Sequence, residues 1–356
     1  MTKDLNVNLV VSGAPQQTTQ EAWFDISSTS HGSAEEPFAS TAKFEMNQTI
    51  NAEFFLLGFP NLQRVKTLVF MFLLVLYLIT LSGNVVIMWL VASCGSLHSP
   101  MYFFLTQLSL ADILLITDIV PNALWIICNK GRTMSLTECI LQFHFFCWPE
   151  SLECFLLSVM AYDRYLAICR PLRYHTLMNP MLCLKLIVIC WFISFFATLI
   201  DIINLSQLQF CGPSRIDHFY CDIVPLMELT CSDTSFFRIE ILLLCVPVAF
   251  TPLVVITVSY VYIVHAVLKI TTTSGRRKAF STCSSHLIVV STYYGLMIGI
   301  YMLPARGKSL NVGKVFSLFY TVVTPMVNPI IYSLRNHDIR EAIEKKIYKT
   351  NISDLK

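Results

Sequence analysis

Apolar residues run through this chain in blocks too long for strands and too continuous for the helices of a soluble protein. Seven blocks reach the roughly 20 residues that a helix needs to cross a bilayer. They lie at about 67–91, 101–128, 139–168, 183–204, 237–268, 278–303 and 313–334. Polar and turn-forming residues fill the short intervals between them. The pattern predicts an all-α membrane protein, a bundle of seven transmembrane helices in one domain over 61–336. Residues 1–60 are polar and rich in Ser, Thr, Ala and Glu, and read as a disordered tail. Residues 337–356 form a second, shorter tail. An odd number of spans puts the two tails on opposite sides.

Basic residues in the short loops set the orientation. Arg164, Arg170, Arg173 and Lys185 follow or border the loop after the third span. Lys269, Arg276, Arg277 and Lys278 follow the fifth, and Arg335, Arg340, Lys345, Lys346, Lys349 and Lys356 lie in the C-terminal tail. These regions share one side, taken as cytoplasmic, although Arg306 and Lys308 on the opposite side blur the contrast. The N-terminus is then outside, in a multi-pass membrane protein. The N-terminal tail has no apolar signal-peptide core, so the first span serves as the insertion signal. "NQT" at Asn47–Thr49 is a glycosylation sequon on the outer side. Met46 stands just before it, and residues 1–45 read either as an upstream extension or as a disordered tail. Two further sequons start at Asn204, close to the membrane, and at Asn351, on the cytoplasmic side.

Composition agrees with the pattern. The chain is 55% hydrophobic and 13% charged, against about 25% charged in a soluble protein. A net charge of +2 leaves no footprint for nucleic acid.

Polar groups within the spans carry the chemistry, because each is costly there. The first span has Asn84, the second Asp112, the third Glu150 and Glu153, and the seventh Asn328 before Pro329. On the third span, positions 139, 143, 146, 150, 153, 157, 160 and 164 alternate steps of four and three, which lays them along one helical stripe. Asn84, Asp112, Glu153 and Asn328 form a candidate interior network that shares protons, waters or a cation, or else only holds helices together. Pro149 and Glu150 lie in the outer half of the third span. Either Pro149 kinks the helix and Glu150 faces a pocket, or the register slips. Cys139, Cys211, Cys221 and Cys231 fall on the oxidising side, and sequence alone leaves three pairings open. His218, Cys221 and Asp222 are metal-ligand types without a metal spacing, so no metal is assigned. A transporter would be expected to show paired repeats or discontinuous helices. An intramembrane hydrolase would carry His-Glu-x-x-His or Gly-x-Ser-x-Gly. Neither pattern is present, and no enzyme is expected.

Four motifs in order carry a family resemblance: "LHSPMYFFL" (Leu97–Leu105), "MAYDRYLAIC" (Met160–Cys169), "KAFSTCSSHL" (Lys278–Leu287) and "PMVNPIIYSLRN" (Pro325–Asn336). Over about residues 46–347 the chain resembles the odorant receptors, which are rhodopsin-like G-protein-coupled receptors. The "HFYCD" loop looks like the tetrapod type. The resemblance implies a small organic odorant as ligand and a stimulatory heterotrimeric G protein as partner, with cyclic AMP as output. An alternative within the class is a chemosensory receptor for a non-odorant ligand outside the nose. A small-solute transporter is the remaining rival.

The resemblance also implies roles. Asp163 pairs with Arg164 at rest. On activation Arg164 lines a cleft for the G protein, with Tyr165, Tyr260 and Tyr332 around it. Cys139 pairs with Cys221 and Cys211 with Cys231, making a lid. Asn84, Asp112 and Glu153 match an interior polar, sodium-like site, so a sodium ion near Asp112 and Glu153 is the one bound ion expected, and no organic cofactor is. Tyr294 and Gly295 lie at the hinge of the sixth helix, and His286 lies below them. Residues 337–348 form an amphipathic helix with Ile339, Ala342, Ile343 and Ile347 on its apolar face. Family positions for the ligand are Phe146, Cys147, Glu150, Ser151, Leu244, Val248, Met297, Tyr301 and Thr321. These are mostly apolar or weakly polar, apart from Glu150. A carboxyl there suits amine or strong hydrogen-bond-donor ligands over acids, unless it faces a neighbouring helix as a neutral acid.

Overall fold

The computed structural model describes residues 53–211, 214–302 and 310–353. Asn47, Met46, the 1–45 segment, Arg306 and Lys308 lie outside them. Seven long helices follow one another: α1 (Lys66–Ser93), α2 (Pro100–Asn129), α3 (Leu136–Cys169), α4 (Pro180–Leu205), α5 (Ser235–Leu268), α6 (Thr273–Met302) and α7 (310–335). An eighth helix, α8 (His337–Ser353), follows α7. Each span in the sequence corresponds to one of the seven.

Six of the seven are long and apolar enough to cross a membrane. The exception is α3, whose 34 residues make a helix of about 50 Å but include Glu138, Glu150, Glu153, Asp163 and Arg164. It is the central helix, and the predicted stripe from Cys139 to Met160 is buried throughout. By contrast α1 and α4 turn Phe72, Trp89, Phe192 and Phe196 outward, each at least half exposed. An apolar exterior around a polar centre reverses the soluble arrangement and is what a bilayer requires.

Local chemistry starts the helices. Ser135 and Glu138 form a capping box at the head of α3: the Ser135 N–H donates to Glu138 at 2.8 Å, and the Glu138 N–H donates to the Ser135 hydroxyl at 3.3 Å. Asn179 caps α4 at 2.9 Å, with Pro180 at the first helical position. Helix α3 runs unbroken through Pro149. Two π-helical turns interrupt the others. Val246–Phe250 lies in α5 and contains Pro247, and Phe319–Val323 lies in α7 just before Pro325. A proline without an N–H forces the ladder to reorganise at such places.

The outer loops hold a small sheet that the spans do not announce. Strand β1 (Glu53–Leu56) pairs antiparallel with β2 (Arg132–Ser135) and parallel with β3 (Arg215–Ile216), in the order β2-β1-β3. The sequence pattern places residues 53–56 in the polar tail. They are ordered because Phe54 and Leu56 are buried beneath the lid, in one cluster with Cys139, Ile216 and Cys221. Gly58 follows at φ +61°, and a Cβ there would fall 2.3 Å from Ile126, so both its backbone and its contact require glycine.

At the inner end, α8 packs Ile339 and Ala342 against the bundle, with Ile343 beside them. The Ile347 side chain is outside the described set. Tyr102 of α2 donates to Asn336 at 3.0 Å and to Asp338 at 2.8 Å, fixing the turn between α7 and α8.

Candidate functional site

Helix α3 is the axis of the site, and each turn of it meets a different layer. At the outer end Cys139 is bonded to Cys221, and a second disulfide joins Cys211 to Cys231. Gln142 accepts the Cys221 N–H at 3.0 Å, and the Phe146 ring lies 4.9 Å from that of Tyr220. The loop before α5 is therefore held down on α3 over about two turns.

His218 and Asp222 complete this lid. His218 stacks on Phe219 at 4.8 Å and meets Tyr220 edge-on at 4.4 Å. Its pKa falls to about 3, mainly through burial and partly through the Lys314 charge. Burial raises Asp222 to about 6, although it accepts the Ile223 N–H. Cys221 is spent in a disulfide, and among the described residues no group of three or more His, Cys, Asp or Glu side chains could hold a metal. Lys314 of α7 is 3% exposed. Its ammonium donates to the Gly58 carbonyl at 3.0 Å and pairs with Asp217, which joins α7, the lid and the N-terminal strand.

One turn below Phe146 is Glu150. Its side chain is 7% exposed, and Oε2 has no hydrogen-bond partner. Tyr293 of α6 donates to the Glu150 carbonyl oxygen at 2.8 Å. The same hydroxyl is 3.1 Å from Cys154 Sγ and accepts from Tyr320 of α7 at 3.3 Å. Three helices thus meet at one phenol. Of the other pocket positions, Phe146 and Thr321 are buried, while Cys147, Ser151, Leu244, Val248 and Met297 are partly buried. Val248 and Thr321 fall within the two π turns, and such turns gather at functional sites. Tyr301 lies in the last turn of α6, with its side chain outside the described set. A separate groove of about 300 Å³ opens between α1, α7 and α8, lined by Ile87, Leu90 and Ile330. It opens at the inner half of the bundle, away from these positions.

The next layer is the interior network. The Asn328 amide nitrogen donates to Asp112 at 3.0 Å and to Glu153 at 3.0 Å, so its two hydrogens serve two carboxyls. Asn84 donates to the carbonyls of Thr80 and Pro325, closing α1 onto α7. Ser109 Oγ, Thr324 Oγ1 and Asn328 Oδ1 are buried without partners.

The inner layer follows. His286 of α6 lies 2.8 Å from the Tyr260 hydroxyl and 3.1 Å from the Leu157 carbonyl, joining α3, α5 and α6. The Tyr332 hydroxyl is buried without a partner nearby. Asp163 Oδ2 is 3.8 Å from Arg164 Nε, and Asp163 Oδ1 accepts from Tyr174 at 2.8 Å. Tyr165 stacks on Tyr162 and faces Tyr262 of α5.

Sequence reasoning singled out Tyr294 but missed Tyr293, which carries the links between helices; Tyr294 makes one 3.4 Å bond to the Ala249 carbonyl. Tyr174, Tyr320, Gln142 and Lys314 were missed as well. A lysine inside an otherwise apolar stretch was the available signal for Lys314.

The described residues thus make a seven-helix bundle of membrane-spanning character, with a disulfide-held lid at one end and an acid–arginine pair at the other. Residues 73–350 match the sequence profile of the olfactory receptor family. Olfactory receptor 11L1 of Homo sapiens is 44% identical over 299 residues, covering 84% of this chain and 93% of its own. Olfactory receptor 1M1 of Mus musculus is 42% identical over 307 residues, covering 86% and 98%. Olfactory receptor 11G2 of Homo sapiens is 45% identical over 299 residues, covering 84% and 87%. The chain belongs to the olfactory receptor family, and so is a multi-pass membrane receptor of the G-protein-coupled class rather than an enzyme.

Proposed function

We propose that this receptor binds a small organic odorant in the outer half of the bundle and activates a stimulatory, olfactory-type G protein that raises cyclic AMP. It acts at the plasma membrane with its N-terminus, and a glycan on Asn47, outside. The ligand contacts are Phe146, Cys147, Glu150, Ser151, Leu244, Val248, Met297, Tyr301 and Thr321. One observation carries the reading. A single helix, α3, bears the lid contacts at its outer end, the bond to Tyr293 in its middle and the Asp163–Arg164 pair at its inner end. A ligand that shifts α6 or α7 through Tyr293 changes the packing around His286 and Tyr260, and so the freedom of Arg164. Arg164, Tyr165, Tyr260 and Tyr332 then form the face offered to the G protein, where a guanidinium presents a planar fork of donors.

The interior network suits a hard monovalent cation. Asp112 and Glu153 supply carboxyl oxygens on either side of the Asn328 amide, whose own oxygen is buried without a partner. A sodium ion there would compensate the acids and favour the resting arrangement.

The test is Arg164→Ala in cells that report cyclic AMP and surface receptor together. Loss of the odorant response at unchanged surface level is expected. A normal response would refute the assignment of the inner face.

A further inference from the structure

The outer half of the bundle holds more acid than the fold uses. Glu150 is more than nine-tenths buried and its Oε2 has no partner. It is not alone. Asp118 on α2, Asp201 on α4 and Glu240 on α5 each have a buried carboxyl oxygen without a partner. With Asp222 in the lid, these five acids lie in the outer half of the bundle, on α2, α3, α4, α5 and the loop before α5.

Among the described residues no ion pair joins a cation to these acids. Lys314 is held by Asp217 and the Gly58 carbonyl, and Arg132 donates to Asn122 at 2.7 Å. Arg164 is at the opposite end of α3. Around Glu150, Tyr293 and Tyr320 supply neutral hydroxyls. The deeper acids, Asp112 and Glu153, have the Asn328 amide, and Glu150 does not share it.

We propose that the receptor is selective for organic ammonium ligands, with the ligand nitrogen on Glu150 and the surrounding acids drawing cations into the outer half. An ammonium supplies donors and charge where the structure leaves acceptors. Apolar neighbours such as Phe146, Val248 and Met297 take the hydrocarbon part. A carboxylic acid ligand brings another acceptor to Glu150 and gains no such partner. This inference rests on the reading of the chain as a receptor with its ligand site in the outer bundle.

The test uses purified full-length receptor in lipid nanodiscs, with cyclic AMP measured in cells in parallel. The probes are n-hexylamine, cyclohexylamine and 2-phenylethylamine, each beside the alcohol and the carboxylic acid of the same skeleton. Binding is read as thermal stabilisation against concentration. At least one amine is expected to bind ten- to a hundredfold more tightly than its alcohol, the span a charge-assisted hydrogen bond gives. Glu150→Gln should abolish that preference, bringing the amine down to the affinity of its alcohol, and Glu150→Asp should restore part of it. If no amine surpasses its alcohol on the wild type, the inference is overturned without any variant. Equal weakening of amine and alcohol by Glu150→Gln also overturns it, because Glu150 then serves only the fold. Amine binding with no cyclic AMP would instead fail the coupling proposal and leave ammonium selectivity standing. Cyclic AMP evoked by alcohols and not by amines would do the reverse.

Discussion

Removing either half of the Lys314–Asp217 pair should have unequal consequences. The Lys314 side chain is 4% exposed and that of Asp217 37%. Replacing Asp217 with Asn leaves a buried ammonium with a carbonyl acceptor at Gly58, 3.0 Å away, and an amide in place of a carboxylate. An uncompensated buried charge costs about 3–5 kcal/mol. Replacing Lys314 with Met removes the buried charge itself. Asp217 then turns to water, the Gly58 carbonyl loses one donor, and the thioether chain fills the space. The lost carbonyl bond is worth about 1–3 kcal/mol, partly offset by apolar burial. Asp217→Asn should therefore be the more damaging by about 2 kcal/mol. The double variant should recover to near the Lys314→Met level. Apparent melting temperatures of the three purified variants decide the matter, with surface level in cells as a second readout. If Lys314→Met melts below Asp217→Asn, the burial argument is wrong. If the double variant is simply additive, the two side chains do not form a pair in the folded receptor.

Tyr293→Phe removes the donor to the Glu150 carbonyl and the acceptor for Tyr320. Two buried hydrogen bonds at about 1 kcal/mol each shift a resting–active equilibrium roughly thirtyfold, so basal cyclic AMP should rise at constant surface level; an unchanged basal signal refutes a resting-state role. The lid should respond to pH through His218. Its lowered folded pKa means that its contribution is complete above pH 6.5 and is lost as pH falls from there toward about 3. Asp222, raised to about 6, contributes fully below its ordinary 3.8 and loses that contribution as pH rises to about 6. Hydrogen exchange over residues 214–222 should therefore quicken as pH drops just below 6.5, after correction for intrinsic rates, and His218→Phe should flatten that limb; an identical limb in the variant removes His218 as its cause. Non-reducing peptide mapping should recover Cys139 with Cys221 and Cys211 with Cys231, and opening the first bridge should cost about 2–4 kcal/mol; free thiols at these positions would contradict the lid.

What the sequence disclosed was what periodicity and motif order encode. The seven spans match helices within a few residues, and the stripe from Cys139 to Met160 is the buried face of α3. Side-chain partnerships between distant spans leave no such trace. Tyr293 and Tyr294 are neighbours in sequence but about 100° apart around the helix, and only their packing separates the phenol that joins three helices from the one that does not. Lys314 drew no assignment from the sequence, because its partners Asp217 and Gly58 converge on it only in the fold. Strand β1 was hidden for a different reason. Four residues are too few to establish a period of two, and their order depends on β2 and β3, which lie about 80 and 160 residues along the chain.

The acidity of α3 bears on how the chain is made. At mid-bilayer a charged side chain costs about 3 kcal/mol to insert, while a leucine returns about half a kcal/mol. Glu150 and Glu153 together offset most of what the apolar residues of α3 supply, so this span enters lipid poorly by itself. The amide that eventually satisfies Glu153 belongs to Asn328, 175 residues later. During synthesis the centre of the bundle therefore waits, half built and polar, until the last span leaves the ribosome. A chain truncated before Asn328 would hold Asp112 and Glu153 without their shared donor. Cellular quality control would then inspect this receptor at the arrival of α7, and yield at the cell surface would depend on how fast α7 docks rather than on how well the first six spans insert.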